Sequence, residues 1–62
     1  MKYWVARDKR GECCLYEGKP TEDVDGTWNP NGYRWYKVSP RLFPNVTFDN
    51  SPMIIIMRIM GE

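Results

Sequence analysis

The sequence predicts an all-β domain, with at most one short helical turn, folded as a small curled antiparallel sheet or a partly open barrel of about five strands. The prediction rests first on two segments, Asp8–Gly11 and Asn29–Gly32, that begin with Asp or Asn and end with Gly. This pattern is typical of a hairpin loop whose Gly is left-handed. Apolar or aromatic residues occur on both sides of each turn, and 62 residues are enough for one domain, 1–62.

The first turn predicts a register as well as a hairpin. Asp8 and Glu12 flank the loop, which sets Val5 opposite Leu15 and Trp4 opposite Tyr16. Because side chains alternate along a strand, the sheet then has two distinct faces. One face carries Val5, Cys13 and Leu15, and the other carries Trp4, Ala6, Cys14 and Tyr16.

The second turn predicts a second hairpin. Around Asn29–Gly32, Trp28 would lie opposite Arg34 and Thr27 opposite Trp35. An arginine over an indole ring would favour this register. The polar segment between the hairpins, residues 18–23, contains Pro and shows no periodicity, so it is predicted to be a loop.

The pattern changes at Ser39. A capping Ser followed by Pro40, with Pro44 as the terminator, predicts one turn of 3₁₀ or α helix. Leu42 and Phe43 are expected to pack under the sheet. Residues 45–48 are expected to add a short extended segment.

Two interpretations of the apolar segment Met53–Met60 stay open. Ser51, Pro52 and Gly61 would frame a short helix. Three consecutive Ile residues favour a strand, which is the prediction adopted here. The segment is apolar on both faces up to Arg58 and would aggregate as an exposed edge, so this strand is expected to lie centrally or to pair across a dimer.

Composition limits the function classes. The net charge of +1 argues against bulk nucleic acid or an anionic membrane as the partner. The chain has no histidine, no catalytic motif and no pattern for a metal or cofactor, so a non-enzymatic protein without cofactors is predicted. Cys13 and Cys14 are adjacent and point to opposite faces of a strand, so two free thiols are expected. Free thiols and a charged, aromatic beginning after Met1 predict an intracellular, cytoplasmic protein.

Aromatic and basic side chains supply the candidate interaction face. Aromatic residues and Arg are enriched at the centres of protein interfaces, which favours a small β protein that binds another protein, alone or as a homodimer. The residues assigned to this face are Trp28, Arg34, Trp35 and Tyr36, with Trp4 and Tyr16 as a second group.

Two alternatives remain open. Cations alternate with aromatic residues in Tyr33–Lys37 and in Lys2–Arg7, which is typical of small barrels that bind single-stranded nucleic acid. In a purely structural domain, the same aromatic side chains would instead fill the interior.

Three segments of the chain carry a resemblance to other proteins. The segments Tyr3–Asp8 with the Gly11 turn, Leu42–Pro44 and Val46–Phe48 resemble a group of short hypothetical proteins of gut bacteria and their phages and mobile elements. These proteins have no assigned activity, so no site residue is implied. The resemblance implies an intracellular protein encoded by a mobile element, and by analogy one that binds a host protein.

Overall fold

The protein folds as two antiparallel β-sheets and one 3₁₀ turn, in a computed structural model that describes residues 2–56. The strands are β1 (Lys2–Arg7), β2 (Cys13–Tyr16), β3 (Thr21–Glu22), β4 (Trp28–Asn29), β5 (Trp35–Val38) and β6 (Met53–Ile56), and the 3₁₀ turn is Pro40–Leu42. The larger sheet has the order β5-β2-β1-β6, and β3 and β4 form the smaller one. The all-β class is confirmed, and the sheet is open rather than closed into a barrel.

The first hairpin has the predicted register. Val5 lies opposite Leu15 and Trp4 opposite Tyr16. The Asp8 carboxylate holds the turn, because its Oδ1 accepts the backbone N–H groups of Arg10 at 2.9 Å and Glu12 at 3.0 Å. Gly11 has φ +91°, the left-handed conformation that the turn requires and that Gly adopts without strain.

The predicted second hairpin is wrong. Strand β4 pairs with β3 rather than with β5, so that Glu22 lies opposite Trp28. Strand β5 pairs with β2, which sets Tyr16 opposite Trp35. The segment predicted as a loop, residues 18–23, therefore contributes the short strand β3.

Turn chemistry explains the difference. Asp23–Gly26 also begins with Asp and ends with Gly, and the Asp23 N–H donates to the Thr27 carbonyl at 2.8 Å, which closes the β3–β4 hairpin. In Asn29–Gly32, by contrast, two consecutive residues have positive φ, Asn31 at 59° and Gly32 at 85°. After this turn the chain does not return along β4 but runs on to pair with β2.

The predicted helical turn is confirmed, but the predicted packing of Leu42 is wrong. The Ser39 hydroxyl accepts from the Arg41 N–H at 3.3 Å, as a cap should, with Pro40 at the first position. Phe43 packs against the core as predicted, but Leu42 is 66% exposed. Residues 45–48 do not form the predicted extended strand. Within residues 2–56, no helix has the length and apolar character needed to cross a bilayer.

The described part of the apolar segment Met53–Met60 is a strand. Strand β6 pairs antiparallel with β1, with Tyr3 opposite Ile55. It lies at an edge of the sheet, so of the two expectations the central position is wrong, and pairing across a dimer stays a prediction. The rest of the predicted element, residues 57–60, lies outside the described residues.

One face of the larger sheet forms the hydrophobic core. Val5 and Cys13 are fully buried there, together with Val46 from the segment that follows the 3₁₀ turn. Partly buried apolar side chains surround them: Leu15, Val38, Phe43, Met53 and Ile55.

Hydrogen bonds from Arg7 connect the segment after the 3₁₀ turn to this core face. Its guanidinium donates to four backbone carbonyls, those of Val46 at 2.6 Å, Gly11 at 3.0 Å, and Pro40 and Phe43 at 3.1 Å each. One side chain therefore ties strand β1 to its own turn and to the chain segment that covers the core.

Candidate binding cleft

The opposite face of the sheet is partly covered by residues 18–33, here called the arm, which carries β3 and β4. A hydrogen bond from the Lys9 N–H to the Gly26 carbonyl holds its tip at 3.1 Å. The Trp28 indole N–H donates to the Arg7 carbonyl at 2.9 Å, and its ring packs against Phe48 with 6.2 Å between centroids. The arm thus contacts the end of the inner strand β1 through Trp28 and leaves a gap above the sheet.

That gap is a cleft of about 280 Å³. Its floor is the sheet, where alternation and the register bring five side chains from three strands to one face: Ala6, Cys14, Tyr16, Trp35 and Lys37. The arm contributes Thr27, Trp28 and Pro30, and the first turn contributes Asp8, Arg10 and Glu12. The volume lies just below the roughly 300–1,000 Å³ of sites for drug-sized ligands. It suits one or two side chains rather than a nucleotide cofactor.

The three aromatic side chains of the cleft differ in their exposure to solvent. Tyr16 is buried at 4% exposure, Trp28 is half-buried, and Trp35 is 53% exposed. Within residues 2–56, the indole N–H of Trp35 donates to no protein acceptor, whereas that of Trp28 is occupied. Trp35 therefore offers both a ring face and a hydrogen-bond donor to an incoming group.

The polar end of the cleft is an ion-pair network without net charge. Glu12 accepts from the Lys37 ammonium at 2.9 Å through Oε1 and from the Arg10 guanidinium at 3.3 Å through Oε2. Arg10 also lies 3.8 Å from the Asp8 carboxylate. Two carboxylates thus balance two cations. Attraction for a ligand of either sign is weak, because its charge would have to displace an existing pair.

Each shifted pKa among the described residues lies further from neutrality than the ordinary value of that group. The hydrogen bond from Lys37 lowers the pKa of Glu12, and the same contact raises the pKa of Lys37. Burial raises the pKa of the Cys14 thiol and of the Tyr16 hydroxyl. None of these four groups is poised to exchange a proton near pH 7, where general acid–base catalysis needs it. The Cys14 thiol also stays protonated and is a weak nucleophile.

The structure brings together only part of the predicted interaction face. Tyr16, Trp28 and Trp35 line the cleft. Trp4 shares the same face of the sheet but lies under the Lys19 ammonium, 5.5 Å from its ring centroid. The predicted stacking of Arg34 on Trp28 is wrong, because the two residues do not pair.

Tyr36 and Arg34 lie apart from the cleft. Tyr36 points to the core face, where it is 44% exposed, and its hydroxyl donates to Glu17 at 2.7 Å. Arg34 precedes β5, and its backbone carbonyl accepts from the Glu17 N–H at 3.0 Å. One continuous aromatic and basic surface therefore does not form.

The interaction face predicted from the sequence did not include the polar side chains of the cleft. The first-hairpin register already placed Ala6, Cys14 and Tyr16 on one face, and the Asp8 turn lies at the end of that hairpin. Lys37 joins them through the β2–β5 pairing, for which the sequence carries no turn signal because the two strands are far apart in the chain.

Comparison with known proteins adds no relative: no protein-family model, curated protein or solved structure matches the chain. The resemblance to short proteins of gut bacteria and their mobile elements stays a prediction.

Proposed function

We propose that the chain is a non-enzymatic binding protein whose cleft receives a short segment of another protein. The observation that carries the proposal is the combination of aromatic walls with a charge-balanced rim. Aromatic side chains contribute large contact areas at small entropic cost, and Trp and Tyr dominate interface energetics. A neutral rim favours a ligand that is recognised by shape, apolar contact and a few hydrogen bonds.

The size of the cleft limits the part of the ligand that it can bind. A volume of about 280 Å³ accommodates one or two side chains of a peptide. We infer that such a side chain packs against Trp35 and that a backbone carbonyl of the peptide accepts the free Trp35 indole N–H. Arg10 and Lys37, which are well exposed, would remain at the rim.

A peptide library displayed on phage tests the proposal. Selection on the immobilised protein should enrich peptides with a shared core, and labelled copies should give Kd values by fluorescence anisotropy. Trp35→Ala should weaken binding about tenfold or more, as expected for a central aromatic residue. Leu42→Ala is the matched control, because it removes an exposed apolar side chain from the 3₁₀ turn, away from the cleft.

Either of two results would contradict the proposal. Enriched peptides that bind wild type and Trp35→Ala equally well would place the binding surface elsewhere. A library that yields no peptide at all would favour the purely structural alternative, in which the aromatic residues serve the fold alone.

Single-stranded nucleic acid is the second candidate ligand, favoured by the proximity of Trp35 and Lys37 in one cleft. The pairing of Lys37 and Arg10 with Glu12 argues against it, since phosphates would have to break both contacts. Titration with a labelled oligonucleotide at low and high salt decides the question. Salt-sensitive binding would support this candidate and no binding at low salt would remove it.

The proposal extends to the cellular compartment and the oligomeric state of the protein. The free thiols of Cys13 and Cys14 support a reducing compartment, the cytoplasm. If the resemblance to mobile-element proteins holds, the partner is a protein of the bacterial host. A homodimer would use a different surface from the cleft, strand β6.

A further inference from the structure

The larger sheet has two outer strands, β5 and β6, and they differ in chemistry. Edge strands expose unpaired backbone groups, and proteins commonly protect them with charged residues or Pro. Strand β5 contains Lys37, follows Arg34 and is followed by Pro40. Strand β6 contains Met53 and three Ile residues and no charge, and the flanking Pro52 and Arg58 of the sequence lie outside it.

The side chains of β6 are exposed on one face only. Met53 and Ile55 pack against the core. Ile54 and Ile56 point to the other face, and they are 46% and 73% exposed. Two large β-branched side chains two positions apart therefore form an apolar stripe along an edge that has no partner strand among residues 2–56.

We propose that β6 pairs with β6 of a second copy of the chain, antiparallel across a twofold axis. The two four-stranded sheets would then form one continuous sheet. An antiparallel pair related by a twofold axis normal to the sheet keeps the same face upward in both copies. Ile54 and Ile56 of each copy consequently lie beside those of the other and are removed from water.

The charge pattern favours a second copy as the occupant. A twofold interface brings each surface against itself, so it must be self-complementary. The described residues of β6 carry no charge and can meet themselves without repulsion. Self-pairing of β5 would instead bring Lys37 toward its own copy, and like charges facing each other across strands are destabilising.

Sedimentation equilibrium over a concentration series from micromolar to millimolar tests the proposal. The wild-type mass should rise from one chain to two with increasing concentration. Ile56→Lys should require at least tenfold higher concentration to dimerise, because it places a charge in the apolar stripe. Leu42→Lys is the matched control, since Leu42 is similarly exposed at 66% but lies on the 3₁₀ turn. It should dimerise like wild type.

Hydrogen exchange, followed by NMR, distinguishes edge pairing from other contacts. Amides of β6 should gain protection at concentrations where the dimer forms, and amides of β5 should not. The proposal is overturned if the wild type stays monomeric throughout, if Ile56→Lys dimerises normally, or if protection appears on β5. Circular dichroism of Ile56→Lys verifies that the variant is folded, as expected for a substitution at a side chain that is 73% exposed.

Discussion

Replacement of Arg7 by Lys should destabilise the fold although it keeps the charge. The guanidinium donates to four backbone carbonyls from three nitrogens, Nε, Nη1 and Nη2. A lysine ammonium has three donors on a single atom and cannot reproduce this spread. The substitution therefore leaves some of these carbonyls without their donor.

The expected cost follows from the number of bonds lost. Loss of two hydrogen bonds at about 1 kcal/mol each gives a cost of about 2 kcal/mol. A domain of this length has a total unfolding free energy of roughly 3–9 kcal/mol. The substitution should therefore remove roughly a fifth or more of the stability.

Urea unfolding, followed by tryptophan fluorescence, measures the effect. With a slope of about 1 kcal/mol per molar, the midpoint should fall by about 2 M. Arg10→Lys is the control, because the Arg10 side chain is 74% exposed and its ion pairs with Asp8 and Glu12 lie at the surface, so the midpoint of this variant should move by less than about 0.5 M. A midpoint for Arg7→Lys within 0.5 M of wild type would refute the structural role assigned to Arg7.

Three further predictions concern the turn, the arm and the cleft. The pKa of Glu12 is lowered from 4.5 by Lys37, so the pair stabilises the fold above that pH and the contribution is lost as the pH falls through the lowered value. Glu12→Gln should therefore reduce the difference between urea midpoints measured at pH 6 and at pH 3, and an unchanged difference would contradict this. Gly18→Ala should destabilise by about 1 kcal/mol or more because its Cβ would overlap the Tyr33 ring. Thermal unfolding of the double variant with Tyr33→Ala should show less than the sum of the single effects, and strict additivity would argue against the clash. Trp28→Phe keeps a ring but loses the N–H bond to β1, so it should cost about 1 kcal/mol in urea unfolding, and a neutral result would mean that this bond contributes nothing.

Local turn chemistry made part of the fold predictable. The Asp8 turn fixed the pairing of β1 with β2 and the two faces of the sheet, because its hydrogen bonds lie within five residues. The cap at Ser39 was recognisable for the same reason. Three Ile residues correctly favoured a strand for β6.

Competition between two similar turns made the rest difficult to predict. Asp23–Gly26 and Asn29–Gly32 both begin with Asp or Asn and end with Gly, but β4 forms a hairpin across only one of them. In the observed pairing the Asn31 side chain donates to the Lys19 carbonyl at 3.1 Å and accepts from the Thr21 hydroxyl at 3.2 Å. These contacts exist only after the arm has folded, so no local pattern reports them.

The candidate site was predictable only where it belongs to the first hairpin. Tyr16 and Cys14 followed from its register, whereas Trp35 and Lys37 depend on the pairing of β5 with β2. In the sequence, Arg7 belongs to the alternation of cations and aromatic residues in Lys2–Arg7 that is typical of nucleic-acid binding. Its actual role could not be seen from the sequence, because three of its four acceptors lie more than thirty residues away.

The adjacent cysteines give the protein two chemical reporters that respond to different events. Cys13 is fully buried in the core, so a thiol reagent can label it only when the sheet opens. Cys14, one residue later, borders the cleft and is half-buried, so a ligand seated there would shield it while Cys13 labelling stayed unchanged. A single labelling time course, resolved by mass spectrometry, would therefore time the occupancy of the cleft and the opening of the whole domain separately.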